Sequence, residues 1–420
     1  MNPNKCIPVT VLLLLSLIVA GCSESGAPNP VDSTVTREEL WINDIDFFAS
    51  ELPRRHINLF ANISREEFNR EVAALQQSVP QLDDAGIILG LARIVAGVGD
   101  AHTTLSMPSS APFHVFPLQL YWFSDGLFCV ATAPEYQHVL GKRLVAIGST
   151  DVAAAYDSIR VFIPHENEMW ARSQCPQALA LAELLKLERL ITDPARAAFS
   201  FEGVGAVTIS SVPLNVAQTG VSILSTLTVP LPLYLRNPNI NYWYTAIDSS
   251  RAIYCQYNRC ANMGTPTFAS FAATLLNFID SLGVGRFIID LRGNGGGNSS
   301  IARPLIDGIK ARPTINRKGH LFVLIGRKTF SSAIINSFEL KNETQSIFLG
   351  EPTGGKPNAY GEVQSFSLPS SGIAVQYSTK YFQLSSENDS SFNPDIVVEL
   401  SSSDFMLGKD PVLSAALRYE

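Results

Sequence analysis

Two apolar runs constrain what the C-terminal half of this chain can fold into. "RFIIDLR" (286–292) carries three consecutive apolar residues and "HLFVLIG" (320–326) five, many of them β-branched or aromatic. A strand with one face in water alternates apolar and polar residues, whereas an unbroken run needs cover on both faces. The neighbouring segments supply that cover. "TFASFAATLLNFIDSLG" precedes the first run and reads as a helix, and "SSAIINSFELKN" follows the second with Ile334, Ile335, Phe338 and Leu340 near helical period. With strands "RAIYCQY" and "SIFLG" at either end, the grammar from about residue 250 is α/β with a mostly parallel sheet. In such sheets chemistry collects at the carboxyl ends of strands, in the loops that lead into helices.

The preceding chain has different patterns. Residues 37–106 read as a small helical subdomain. Its segments "REELWINDIDFFASEL", "SREEFNREVAALQQSV" and "DDAGIILGLARIVAGVG" cluster their apolar residues on one face. In the second, Ser64 and Glu67 have the spacing of a capping box, and Gly99 ends the third. Residues 107–235 read as a β-rich domain with one or two helices. "FPLQLYWF", "GLFCVAT" and "KRLVAIG" are its strand candidates, and "DVAAAYDSIRVF" and "PQALALAELLKLERL" its helix candidates. A Pro/Asn-rich stretch then joins it to a domain over 245–420.

Residues 1–22 read as a targeting segment. "MNPNK" carries a positive charge, and "VTVLLLLSLIVA" is an apolar core too short to span as a mature helix. "VAGC" resembles the lipobox of bacterial lipoproteins, which implies cleavage before Cys22, lipidation of that thiol and anchoring to a membrane. Ser23 points to the outer membrane of the bacterial cell envelope, facing periplasm or exterior. Residues 23–36, small, polar and Pro-bearing, read as a flexible tether. Export permits oxidation of the four remaining cysteines, Cys129, Cys175, Cys255 and Cys260, in any of three pairings. None of them forms a C-x-x-C pattern or lies at ligand spacing from a histidine, so neither a metal nor any other cofactor is expected. The chain of 420 residues has a net charge of −7, which argues against a nucleic-acid partner.

Four short motifs carry candidate chemistry. "FVLIGRKTFSS" runs from a buried strand into a helix that opens at Ser331 and Ser332, where free N–H groups and the helix dipole favour an alkoxide or oxyanion. A serine at such a place is ordinarily only a cap. "FIIDLRGNGGGNSS" follows its strand with four glycines in the five positions 293–297. Such a loop could aim backbone N–H groups at a phosphate or an oxyanion, but Asn298 occupies the third-glycine position of a dinucleotide fingerprint. "GEPTGGKPNAYGE" nearly satisfies a P-loop, yet Pro357 stands where a magnesium-binding hydroxyl is required. Lys356 in that turn could instead act as a base if its ammonium loses its proton. "GVGDAHTTL" places His102 just past a helix end.

Together "DAHT", "IIDLRGNGGG", "TFSSA" and "GEPTGGK", in that order, resemble the C-terminal processing, or tail-specific, serine peptidases and their tricorn-like and interphotoreceptor-retinoid-binding-protein-like relatives. In that family the serine and the lysine stand 25 residues apart, as Ser331 and Lys356 do here (356 − 331 = 25). The resemblance therefore implies Ser331 as nucleophile and Ser332 as donor of a following N–H, with Gly296 or Gly297 as the second oxyanion-hole donor. It implies a crotonase-like α/β core preceded by a degenerate PDZ-like domain, although no "GLGF" carboxylate-binding loop is present. Two mechanisms compete. In the processing peptidases Lys356 is the base. In the tricorn-like branch His102 is the base, oriented by a serine, where this chain has Ala101, and by a distant glutamate, near which Glu387 falls. The expectation is Ser331 with Lys356 as base and His102 lining the site. The implied activity is that of a lipid-anchored serine endopeptidase acting on exported polypeptides; a catalytically inactive relative that binds a peptide or an apolar ligand is the alternative.

Overall fold

A computed structural model describes residues 35–106, 111–219, 224–227, 231–247 and 251–420. The targeting segment, Cys22 and nearly all of the tether lie outside the described residues. Among the described residues, no helix is long and apolar enough to cross a membrane.

The chain is mixed α/β. Its central element is a six-stranded sheet in the order 242–247, 252–257, 286–290, 321–325, 347–350 and 396–397. The first pair is antiparallel and every later pair is parallel. The pleat explains the unbroken apolar runs. Phe287 and Ile289 join one buried cluster with the helix Phe268–Leu282, while Ile288 faces the other way into a cluster with Val412, Leu413 and Ala416 of the C-terminal helix Pro411–Arg418. The strands of both apolar runs are covered on both sides, as their composition requires.

The N-terminal helices are Arg37–Arg55, Arg65–Ser78 and Asp84–Gly97. Ser64 caps the second by accepting from the Glu67 N–H at 3.0 Å. The full reciprocal box occurs instead at the first, between Thr36 and Glu39. The third helix ends where Gly99 takes a positive φ of 68°. In the intermediate region, strands 118–123 and 126–132 form a hairpin, and a four-stranded sheet follows in the order 150–151, 144–147, 196–201 and 205–210. The stretch expected to be one helix over 176–190 breaks at Leu179–Leu181, leaving helices Glu168–Ala178 and Ala182–Leu187. The first of these begins before the expected range. Its first turns, "EMWARSQ", carry few apolar residues, and its Asn167 cap is the stronger start signal.

One connection ties the two halves together. The hairpin 358–367/374–383, from the C-terminal stretch, pairs with the short strand Thr104–Ser106 just after the helical region. Its Phe366, Val375 and Tyr377 belong to the same buried cluster as the N-terminal helices and the intermediate region. Cys129, Cys175, Cys255 and Cys260 are all free thiols and all buried, so none of the permitted pairings is formed.

Asp44, fully buried on the first helix, locks the hairpin's turn. Its carboxylate accepts from the N–H groups of Ser370 at 2.7 Å and Ser371 at 2.8 Å. Asp44→Ala strands both donors and should cost about 2 kcal/mol. The check is a urea unfolding curve whose midpoint falls while its slope stays constant.

Candidate active site

Ser331 sits between the strand 321–325 and the helix Ser332–Glu343. Its backbone is at φ 53°, ψ −127°, a region that non-glycine residues rarely occupy and that costs about 1–3 kcal/mol. Although Ser331 is at the N-cap position, its side chain makes no capping hydrogen bond. The hydroxyl is therefore not spent in the way that a serine at a helix start usually spends it.

The surrounding loop holds this conformation. Buried Thr329 donates through Oγ1 to the Leu291 carbonyl at 2.8 Å, and the same atom accepts from the Gly326 N–H at 3.0 Å. The Phe330 N–H donates to the Asn294 carbonyl at 3.0 Å. These bonds tie the serine turn to the glycine loop at the neighbouring strand end.

The glycine loop meets Ser331 closely. A Cβ on Gly296, whose φ is 105°, would lie 2.6 Å from the Ser331 Cβ and 3.0 Å from the Ser332 nitrogen. A Cβ on Gly297, φ 132°, would strike the Cys260 carbonyl at 2.3 Å. Neither position admits a side chain. The Ser332 Oγ donates to the Gly297 carbonyl at 2.5 Å, clamping loop to helix. Accounting for the donors separates the two glycines. The Gly296 N–H is already bonded to Asn294 Oδ1 at 2.9 Å, whereas the N–H groups of Gly297 and Ser332 have no hydrogen-bond acceptor among the described residues.

His102 reaches this place by a different route. Its ring stacks on Phe330, centroids 4.5 Å apart, and Phe330 stacks on Trp170 at 4.2 Å. Both ring nitrogens of His102 are buried without a hydrogen-bond partner. Its N–H is fixed by Asp100 Oδ1 at 2.9 Å, but its Nδ1 stands 3.7 Å from that oxygen, beyond hydrogen-bond range. The other Asp100 oxygen is engaged elsewhere. This Oδ2 faces His56 Nε2 at 3.0 Å and accepts from Thr103 Oγ1 at 2.5 Å and Ser378 Oγ at 2.6 Å. The His56 Nδ1 accepts from the Asn58 N–H at 3.0 Å, which leaves Nε2 to donate to Asp100. Burial pushes the Asp100 carboxyl up, but the adjacent His102 and the hydrogen bonds from His56 and Ser378 outweigh it and hold the group far below the usual carboxylate range.

Glu166 lies beside these groups and has no counterpart in the sequence-based site. Its Oε2 accepts from the Lys356 N–H at 3.3 Å, and its Oε1 is buried without a partner. Burial, the largest influence, pushes its carboxyl up to about 7 against the opposing effect of His102. The next residue, Asn167, is buried and donates to Thr353 O at 3.1 Å, Ser390 O at 2.7 Å and Ser391 Oγ at 2.9 Å. Those hydrogen bonds dock the segment before helix Glu168–Ala178 onto the "GEPTGGK" turn and the 390–391 loop.

Lys356 is half-buried in that turn, and among the described residues its ammonium has neither a hydrogen bond nor an ion pair. Its neighbour Gly355 abuts the Phe330 ring, 3.0 Å from a would-be Cβ. Ser331, Ser332, Gly296, Gly297, His102 and Lys356 thus gather around Phe330 and the glycine loop. Glu387 does not join them. It is exposed, its main-chain carbonyl is held by Asn358 Nδ2 at 3.0 Å, and its carboxylate has no hydrogen bond or ion pair among the described residues.

Asp100, His102 and Glu166 offer three ligand atoms within 4.8 Å of one another, the one such group of three or more His, Cys, Asp or Glu among the described residues. Four hydrogen bonds already occupy the Asp100 oxygens, so a metal would have to displace them. The set is better arranged for handling protons.

No protein-family model matches this chain, and no curated protein matches it. Solved structures do. Mature CPAF complexed with lactacystin aligns at 12% identity and a TM-score of 0.62, covering 91% of this chain and 99% of that one. Mature CPAF without that compound gives 13% identity and a TM-score of 0.60, covering 90% and 96%. The photosystem II D1 C-terminal processing protease also matches, at 13% identity over 91% and 97% of the two chains, with a lower TM-score of 0.38. At these identities the shared property is the fold, and the CPAF fold extends over nearly the whole described chain.

Asp100 gives the site a pH signature in stability. Its folded-state pKa is depressed, so its contribution is present above the unfolded value of about 4 and is lost as pH falls below it. Asp100→Asn should cost about 2–3 kcal/mol at pH 7. The difference from the parent should shrink toward pH 3, as read by denaturant midpoints across that range.

Proposed function

We propose that this protein is a serine peptidase that cleaves polypeptides through an acyl-enzyme on Ser331. The observation that carries the proposal is the strained Ser331 backbone at a helix start, with its hydroxyl unused as a cap and two uncommitted N–H groups beside it. In this mechanism the Ser331 Oγ attacks the scissile carbonyl as its proton passes to a base. The N–H groups of Gly297 and Ser332 receive the oxyanion, in a setting where each donor contributes about 3 kcal/mol. The base then returns the proton to the leaving amine, and water releases the acyl group by the reverse sequence.

For the base, the geometry favours His102 over the expected Lys356. A buried imidazole with both nitrogens unpartnered, packed on the residue before Ser331, is the kind of group that general-base chemistry uses. Lys356 then lines the site from the facing turn. The crotonase-like core, the PDZ-like character of residues 107–235 and endopeptidase specificity belong to the same proposal. So does anchoring through a lipid on Cys22 in the bacterial cell envelope, which rests on the lipobox-like "VAGC".

The alternative, a catalytically inactive relative that binds a peptide or an apolar ligand, would have no need of Ser331's strain. A fluorophosphonate probe should label the purified protein at Ser331, and Ser331→Ala should abolish labelling. His102→Ala should slow labelling by about 100-fold or more while Lys356→Ala stays within a few-fold. The reverse pattern assigns the base to Lys356. A folded protein that is not labelled at all supports the binding module.

A further inference from the structure

The tricorn-like pattern calls for a carboxylate that orients the histidine, and the position nearest to it in sequence, Glu387, is exposed and uncoupled from His102. The site nevertheless contains a carboxylate with no other evident role. We propose that Glu166, delivered by the intermediate region, is the positioning residue for His102: it receives the N–H of one ring nitrogen and so presents the other nitrogen to Ser331. This rests on the serine-peptidase reading above.

Three observations converge on it. The first is complementarity of unmet needs. Glu166 Oε1 and both His102 ring nitrogens are buried without partners, and a ligand atom of each residue lies within 4.8 Å of the other's. An unpaired buried acceptor or donor destabilises the fold, so a rotation that joins the two satisfies both at once. Catalytic hydrogen bonds are often long before substrate binds and tighten in the complex.

The second is anchorage. Glu166 is held at Oε2 by the Lys356 N–H, and its neighbour Asn167 is bonded to three groups of the 353 and 390–391 loops. Trp170, on the helix that Asn167 caps, presses on Phe330, whose ring stacks against His102. The segment 166–170 thus grips the histidine from both the charged and the apolar side.

The third is the exclusion of the competing carboxylate. Asp100 is nearer in sequence, and its Oδ1 lies 3.7 Å from Nδ1, but its two oxygens already accept four hydrogen bonds, from His56, Thr103, Ser378 and the His102 main chain. It fixes the backbone of His102 and leaves the ring to Glu166.

The groups that face Glu166 are Asp100 and His102 from the turn after the third helix, and the Lys356 main chain from the facing turn. Its ionisation near neutrality should set an acidic limb. Labelling of Ser331 should rise with pH through about 7 in the parent protein.

The test is the fluorophosphonate labelling rate of the full chain as a function of pH for Glu166→Gln, Glu166→Asp and Glu387→Ala, with folding verified by circular dichroism and thermal melting. Glu166→Gln should slow labelling by about 100-fold and change the position of the acidic limb, and Glu166→Asp should restore part of the rate. Labelling within three-fold of the parent in Glu166→Gln overturns the assignment, as does a large loss in Glu387→Ala with retention in Glu166→Gln. If Glu166→Gln does not fold, Glu166→Ala decides: a folded Ala variant with the parent's rate and limb overturns the proposal, and a slowed rate with a displaced limb supports it. Absence of labelling in the parent itself refutes the peptidase reading instead, so the two failures are distinct.

Discussion

The backbone of Ser331 is the constraint on which the site depends. A left-handed φ on a β-carbon-bearing residue is held only when its surroundings over-determine it. Here the Thr329 hydroxyl, the Phe330 N–H and the Ser332 hydroxyl each bond to a group of the chain between Leu291 and Gly297 or of the serine turn itself. The strain is stored between the ends of two adjacent parallel strands. That is also why the glycine loop must be glycine. The strained turn pushes Ser331 to where a Cβ on residue 296 would stand, so the shape of one loop dictates the composition of the other.

The sheet alone does not make the site. His102 arrives from the N-terminal helices, Glu166 from the intermediate region and Lys356 from the turn before the long hairpin. Their convergence depends on tethers between distant parts of the chain. Strand Thr104–Ser106 pairs with the hairpin, Asp44 holds the hairpin's turn, and Arg327 bridges Glu351 at 2.8 Å and the Trp122 carbonyl at 2.8 Å. A buried Asn167 with three outgoing bonds completes the enclosure. Such contacts are polar and specific, so a shift of any one region moves a functional group rather than merely loosening a core.

The sequence showed the α/β half clearly because its signals are local. Unbroken apolar strands, a serine pair at a helix start and a glycine-rich turn each declare themselves within a dozen residues. The N-terminal helices were equally visible from their apolar faces. The hairpin's allegiance to the N-terminal core was not visible, since strand pairing between residues 104–106 and 374–376 depends on tertiary packing rather than on any local pattern. Glu166 stayed hidden for a related reason. It lies in a polar stretch, "HENEMW", that has no periodicity, and its significance comes entirely from what the Asn167 bonds bring near it. Glu387 drew notice through proximity in sequence to a motif, which says nothing of where an exposed carboxylate points.

Two carboxylates near one imidazole need not compete if their environments drive them apart. Asp100 is buried but fully supplied with donors, so it remains an anion across the working range and serves as a fixed electrostatic strut between the turn, His56 and the hairpin. Glu166 is buried with one main-chain donor and one empty oxygen, so the same desolvation that Asp100 overcomes pushes its carboxyl toward neutrality. Removing the Asp100 donors one at a time would make it behave like Glu166, and adding one donor to Glu166 would make it a second strut. The difference in function between them is therefore a difference in hydrogen-bond supply, set by where Thr103, Ser378 and His56 fall in the fold.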